Sequence, residues 1–259
     1  MNLTGHRIAI SKNLAGRVLV ALTLGWSAAT ALAAGGPPMV TDDPETPGNG
    51  RWEINVAAVA SRTTGRRELA IPDVDINYGL GDRIQLKLDL PWVRVSAPDL
   101  RARSGPGDTE VGVKWRFYDD EDSGLTISTY PQYMHALTDA SVARGTASPG
   151  HEFLLPIEAA GEVAGVGLVG EVGKNFVQGQ KGQWIAGVIA SHPCGDNNEC
   201  MFEVRGRHGE GQHATLLNLG VHHKLDDSLA LLFAAGAERG TRSDERRQTL
   251  VYLGLQFTH

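Results

Sequence analysis

The chain has 259 residues, with 24 lysines and arginines against 30 acids and a formal net charge of −6. An acidic balance without basic clusters argues against a nucleic-acid partner. Past the N-terminal stretch nothing approaches the roughly 20 apolar residues of a spanning helix, so membrane residence would require a closed barrel.

The N-terminus carries Arg7, Lys12 and Arg17, and no further charge appears before Asp42. VLVALTLGWSAATALAA (18–34) is apolar, short for a span, and ends on Ala31-Leu32-Ala33. Basic, apolar and small-residue parts in that order make a secretory signal peptide. Residues 1–33 are therefore read as removed and the chain as exported. Losing three bases and no acids takes the net charge from −6 to −9. AGGPPMVTDDPETPGNG (34–50) is rich in proline, glycine and acid and reads as an irregular periplasmic lead-in.

From Arg51 to the end, apolar and polar residues alternate over runs of about ten, separated by turn signals, as in β-strands. RWEINVAAVASR (51–62), PDVDINY (72–78), GDRIQLKLDLPW (81–92), DTEVGVKWRFY (108–118) and LTISTYPQYMHA (125–136) are the first five. HEFLLPIEAAG (151–161), VGLVGEVGKNF (166–176), WIAGVIASH (184–192) and MFEVRGRH (201–208) follow. ATLLNLGVHHKL (214–225), SLALLFAAGAERG (228–240) and QTLVYLGLQFTH (248–259) bring the total to twelve. Cys194 and Cys200 lie in PCGDNNECM between two of these runs, and in an exported chain they read as a disulfide pinning a short periplasmic turn. A metal reading finds only His192 nearby.

A strand such as GDRIQLKLDLPW has one greasy and one ionic face. In a soluble sheet the greasy face meets a core; in a membrane barrel it meets lipid and the ionic face lines a lumen. Three features favour the barrel. An even strand count returns both termini to one side. Brief turns (GLGD, DDEDSG, GEVAG, LDDS) alternate with longer connections (TTGRR, SAPDLRARSGPG, LTDASVARGTASPG). The outward aromatics fall at two rims: Trp52, Tyr78, Trp115, Phe117 and Phe257 at the inner one, Trp92, Tyr133, Phe153, Phe176 and Trp184 at the outer one, with Phe233 alone mid-strand. The fold expected is all-β, a transmembrane antiparallel up-and-down barrel of about twelve strands over residues 51–259.

TDDPETPGNGRWEINVA, DVDINYGLGDRIQLKLDLPW, GDTEVGVKWRF and the later YPQ and LLPI resemble the bacterial outer-membrane barrels named for a MetA pathway of phenol degradation, often called transporters. The resemblance spans nearly the whole mature chain, through strand and turn motifs. It implies a Gram-negative outer-membrane protein that passes small, aromatic or hydrophobic molecules, and it brings no catalytic motif and no cofactor. The chain departs from that pattern in its Cys194–Cys200 hairpin and in ending FTH rather than on an aromatic residue. Its expected partners are small-molecule solutes, outer-membrane lipids and lipopolysaccharide, and the barrel-insertion machinery.

The inward columns carry Glu53, Asn55, Asp73, Asp75, Gln85, Lys87, Asp89, Glu110, Lys114, Arg116, Glu158 and Glu171. Lys87, Asp89, Glu110, Lys114 and Arg116 are expected to form a constriction, with Asp73 and Asp75 near Lys87 and Asp89 near Lys114 and Arg116. Two readings stay open: a selective constriction, or a salt-bridge lattice that rigidifies a narrow barrel. A lipid-modifying enzyme would need a serine and a histidine on one face, but in Ser191-His192 the side chains diverge, and His222-His223 have the same problem. The basic stretches Arg101–Arg103 and Arg242–Arg247 read as solvated loops that could touch lipopolysaccharide phosphates.

Overall fold

The computed structural model describes residues 35–98, 100–209, 211–241 and 247–259. The signal-peptide reading and most of the Arg242–Arg247 segment lie outside them. Each alternating run becomes a strand: β1 (Trp52–Thr63), β2 (Arg66–Leu80), β3 (Ile84–Ser96), β4 (Arg103–Pro106 and Asp108–Asp120), β5 (Leu125–Thr129 and Gln132–Ala136) and β6 (His151–Val163). The second half comprises β7 (Val166–Val177), β8 (Gln183–Gly195), β9 (Asn198–Gly209), β10 (Gln212–Lys224), β11 (Leu229–Gly240) and β12 (Gln248–Thr258). Consecutive strands pair antiparallel, and β1 closes on β12 from Glu53↔Thr258 to Arg62↔Thr249. Closure leaves no open edge, which lipid would penalise heavily.

Gly107 interrupts β4, and Tyr130-Pro131 interrupts β5, where the proline removes a ladder donor. β2 starts at Arg66, well before the expected Pro72. The register shifts between Ala70 and Asp73, so Ile71 and Pro72 form a bulge that tolerates the missing N–H. TTGRR, expected as one of the longer loops, shrinks to the two-residue turn Thr64-Gly65. Between β6 and β7, Ala164 (φ 54°) and Gly165 (φ 81°) make the left-handed pair of a two-residue hairpin. Cys194 and Cys200 do form a disulfide, across the β8–β9 hairpin.

The only helix among the described residues is α1 (Asp139–Arg144), inside the long β5–β6 connection, where sequence periodicity shows none. Thr138 caps it and Gly145 ends it in the left-handed conformation. That connection folds back on the wall: Thr146 donates to the Pro106 carbonyl at 3.0 Å, and the Ser148 amide donates to Asp108 at 2.9 Å.

The wall alternates as expected. Leu86, Leu90, Val111, Val113, Leu155, Ile157, Leu217, Leu219, Leu253 and Leu255 are exposed on the outer face. A continuous apolar belt of this kind calls for lipid, not water. At its inner rim Trp52 packs on Tyr78 (ring centroids 4.6 Å) and Trp115 on Phe117 (5.6 Å). At the outer rim Phe153 packs on Phe176 (6.3 Å), and Trp92 and Trp184 are exposed. Phe257 is exposed at the inner rim and Phe233 in mid-belt. The chain is a transmembrane β-barrel.

Candidate functional site

Everything expected inward is inward, and the lumen has two unlike walls. β1–β4 present Glu53, Asn55, Asp73, Asp75, Asn77, Gln85, Lys87, Asp89, Glu110, Lys114 and Arg116, all buried or half-buried. β8–β12 present more small and apolar residues, among them Gly187, Ile189, Gly220, Leu232, Ala234 and Gly254, around the buried polar Ser191, Glu203 and Asn218.

The space between these walls is filled by the lead-in. Residues 35–50 are irregular, as expected, but they fold into the barrel rather than outside it. Their acids meet the cations of β4, and their apolar residues meet the small-residue wall. Lys114, 2% exposed, donates to Asp42 Oδ1 at 2.9 Å and to the Asp43 carbonyl. Arg116 donates to Glu45 Oε2 at 2.9 Å and to the Asp82 carbonyl at 2.7 Å. Opposite, the fully buried Glu203 accepts the Thr41 amide at 2.6 Å and the Val40 amide at 3.2 Å, and a third bond from Asn218 Nδ2. Met39 lies in the apolar cluster with Ile189, Met201, Leu232 and Tyr252.

Three glycines make room for this segment. A Cβ on Gly187 would stand 2.1 Å from Thr41 Oγ1, and one on Gly220 would stand 2.5 Å from Met39 Sδ. A Cβ on Gly79 would overlap the Gly48 carbonyl oxygen at 1.8 Å. Burial works against the Asp42 charge, but Lys114 and Lys87 outweigh it and hold the carboxyl below its ordinary range. For its neighbour Asp43, burial prevails over Lys114 and moves the carboxyl up.

The expected pairings are partly realised. Lys87 reaches Glu110 at 3.1 Å and Asp75 at 3.8 Å, as expected for Asp75. Asp89 does not meet Lys114 or Arg116. The β3–β4 register sets Gln85 against Lys114 and Asp89 against Glu110, placing Asp89 four residues farther along the wall. Asp89 lies beside the carboxylate of Asp73 instead. Glu158 accepts from Ser128 at 2.5 Å, and Glu171 pairs with Arg205. Sequence reasoning passed over Tyr130, whose buried ring lies under Lys114 Nζ at 4.6 Å and Lys87 Nζ at 5.8 Å. It also passed over Glu203 and Arg205, although their alternation with Phe202 and Val204 in MFEVRGRH marks them as inward. Ser191 faces inward and the following His192 is exposed, while His222 is half-buried.

Two cavities remain around the lead-in. The outer one, about 270 Å³, is lined by Val40, Asp42, Lys87, Glu110, Gln132, Met134, Glu152, Leu154, Glu171, Asn175 and Arg205. The inner one, about 100 Å³, is lined by Gly35–Pro37, Asp42, Asp43, Glu45, Thr46, Glu53, Asp75, Asn77, Gln85, Lys87, Lys114 and Gln256. Asp42 and Lys87 belong to both.

No family model matches the chain. No curated protein matches it either. Among solved structures it resembles the COG4313 outer membrane channel from Pseudomonas putida F1, with TM-score 0.66 and 13% identity over 87% of this chain and all of that one. The NanC porin gives TM-score 0.57 and 7% identity, covering 79% of this chain and 98% of that chain. A KdgM porin in complex with disordered oligogalacturonate gives 0.54 and 12%, covering 78% and 98%. The fold is that of bacterial outer-membrane channel barrels.

Proposed function

We propose that the protein is a narrow outer-membrane channel through which small molecules pass without energy input, and that its own N-terminal segment sets the width of the path. The observation that carries this reading is the neck: Asp42 and Lys87 border both the outer and the inner cavity, so one charged pair of walls separates the two spaces. Acids outnumber bases around each cavity. The outer lining has Asp42, Glu110, Glu152 and Glu171 against Lys87 and Arg205; the inner has Asp42, Asp43, Glu45, Glu53 and Asp75 against Lys87 and Lys114. Such a lining favours cations over anions.

Val40, Met134 and Leu154 beside Gln132 and Asn175 give the outer cavity apolar surface next to hydrogen-bonding groups. A cavity of about 270 Å³ of that composition suits a molecule of one small ring with one or two polar groups. This agrees with the resemblance to the barrels named for phenol degradation, and small aromatic solutes are the class proposed. The test is single-channel recording with salt gradients on the wild type and on Lys87→Ala/Lys114→Ala. Removing both cations should strengthen the cation preference, whereas unchanged selectivity would remove these residues from the path. A second reading, a structural barrel with a sealed lumen, draws on the dense anchoring of residues 40–45 by Glu203, Lys114 and Arg116. It predicts no conductance at any voltage.

A further inference from the structure

The geometry points to a binding site for a phosphorylated glycolipid headgroup on the outer rim of the barrel, built by Arg62, Arg67 and Arg94. It rests on the reading of the chain as an outer-membrane barrel with both termini on the inner side.

The three arginines belong to neighbouring strands and to one face. Arg62 of β1 is paired with Arg67 of β2, and Arg67 with Ser96 of β3. Arg94 stands opposite Leu69, one outward step below Arg67. In β1 the inward positions are odd (Asn55 and Ala57 buried), so Arg62 points out of the barrel, and its partner Arg67 points with it. In β3, Arg94 continues the outward column of Leu86, Leu90 and Trp92. All three are exposed, and among the described residues none has an acidic partner.

Two features ask for an anion. Residues directly opposite on an antiparallel pair have Cβ atoms about 5 Å apart, and like charges there are destabilising. Arg62 and Arg67 are therefore set against each other unless something negative lies between them. Arg62, Arg66 and Arg67 also line an open cleft of about 330 Å³ between the β1–β2 turn and Ser96–Pro98. Arg66 is held at its back by Glu68 and by the Gly145 carbonyl, so its charge is already answered.

Depth identifies the anion as a lipid headgroup. Trp92, half exposed, marks the interface on β3, where indoles settle beside headgroups. Arg94 lies two residues beyond it, about 7 Å along a strand rising about 3.3 Å per residue. Arg67 and Arg62 stand a further step out. Guanidinium forks grip phosphate oxygens in pairs, and a phosphate monoester offers more charge and more oxygens than a diester. The opposite rim carries acidic turns, with Asp119, Asp120 and Asp122 in one and Asp226 and Asp227 in another, so its exposed cations Arg51, Arg83 and Lys224 stand among acids, unlike the outer cluster. A lipid with phosphate monoesters on a sugar headgroup meets these requirements.

The test uses the refolded mature chain, the triple variant Arg62→Gln/Arg67→Gln/Arg94→Gln, and a control that removes three exposed cations of the inner rim, Arg51→Gln/Arg83→Gln/Lys224→Gln. Native mass spectrometry from detergent and titration with a fluorescent bis-phosphorylated glycolipid measure retention. The wild type and control should bind alike, and the triple variant at least tenfold more weakly. The dephosphorylated glycolipid should lose as much on the wild type. Equal binding by the triple variant, or by the dephosphorylated lipid, overturns the site. Competition by inorganic phosphate at the lipid's own concentration would show that phosphate suffices without the lipid, and would overturn the headgroup assignment. Heat-modifiable gel mobility after insertion into phosphatidylcholine bilayers reports the barrel separately. A chain that fails to insert there sinks both readings; one that inserts and shows no loss in the triple variant sinks the site alone.

Discussion

Lys114 is the point where the wall grips the N-terminal segment, and Lys114→Met is the perturbation with the largest expected effect. Its ammonium is buried, 2.9 Å from Asp42 Oδ1 and 3.9 Å from Asp43 Oδ1, and it also donates to the Asp43 carbonyl. Methionine keeps most of the volume and removes the charge, leaving two buried carboxyls of the segment facing an apolar side chain. Breaking one side of a buried ion pair costs about 3–5 kcal/mol. At about 1.4 kcal/mol per factor of ten, the ratio of seated to released segment should fall roughly 140- to 4,000-fold. The assay is single-channel recording in a planar bilayer, paired with limited proteolysis of residues 35–50. Larger or more frequent conductance steps should accompany faster cleavage in that stretch. Adding Asp42→Asn to Lys114→Met should recover part of the loss, since it removes the uncompensated charge. Wild-type conductance together with wild-type protection would refute the grip.

Other outcomes follow from the same geometry. Gly187→Val should also release the segment, because its Cβ would meet Thr41 at 2.1 Å, and cleavage within 35–46 is the readout. Glu203→Ala removes two charge-assisted bonds to the Thr41 and Val40 amides, worth about 1.5–3 kcal/mol each, and should raise conductance in the same direction. Because the Asp42 carboxyl is held below its ordinary value of 3.8, its contribution to seating is complete above that pH and is lost as pH falls through the depressed value. Asp42→Asn at neutral pH should therefore reproduce the opening that the wild type shows only in strong acid. Reducing Cys194–Cys200 should lower the barrel's unfolding free energy by no more than about 2 kcal/mol, since the closed loop is short and strand pairing already holds that hairpin; urea unfolding of the Cys→Ser pair checks it.

Twelve strands, their faces and the rim aromatics were legible because alternation is a local signal with a period of two, and each strand states it independently. Bulges were not. Pro72 reads as a strand boundary until its neighbours supply a register that lets β2 continue past it to Arg66. Helix α1 is too short to show a helical period, and it takes its place from contacts with β2 and β4. The inward column was correct residue by residue, yet the pairing of Asp89 was not, because pairing depends on stagger between strands, which parity leaves open. The N-terminal segment was the largest gap. TDDPET states that it is acidic and irregular; nothing local states that Lys114 and Arg116, some seventy residues away, face a lumen wide enough to receive it. Unanswered cations on one inward column and an excess of acid just before the barrel were the available signal.

The most direct test of a channel narrowed from within is single-channel conductance of the refolded chain from Ala34 onward beside its Lys114→Met variant, under a salt gradient. The narrowed channel predicts small, reproducible, cation-preferring steps from the wild type and larger ones from the variant. Silence from both heat-modifiable proteins would contradict the channel. Equal steps from both would contradict the role of the N-terminal segment.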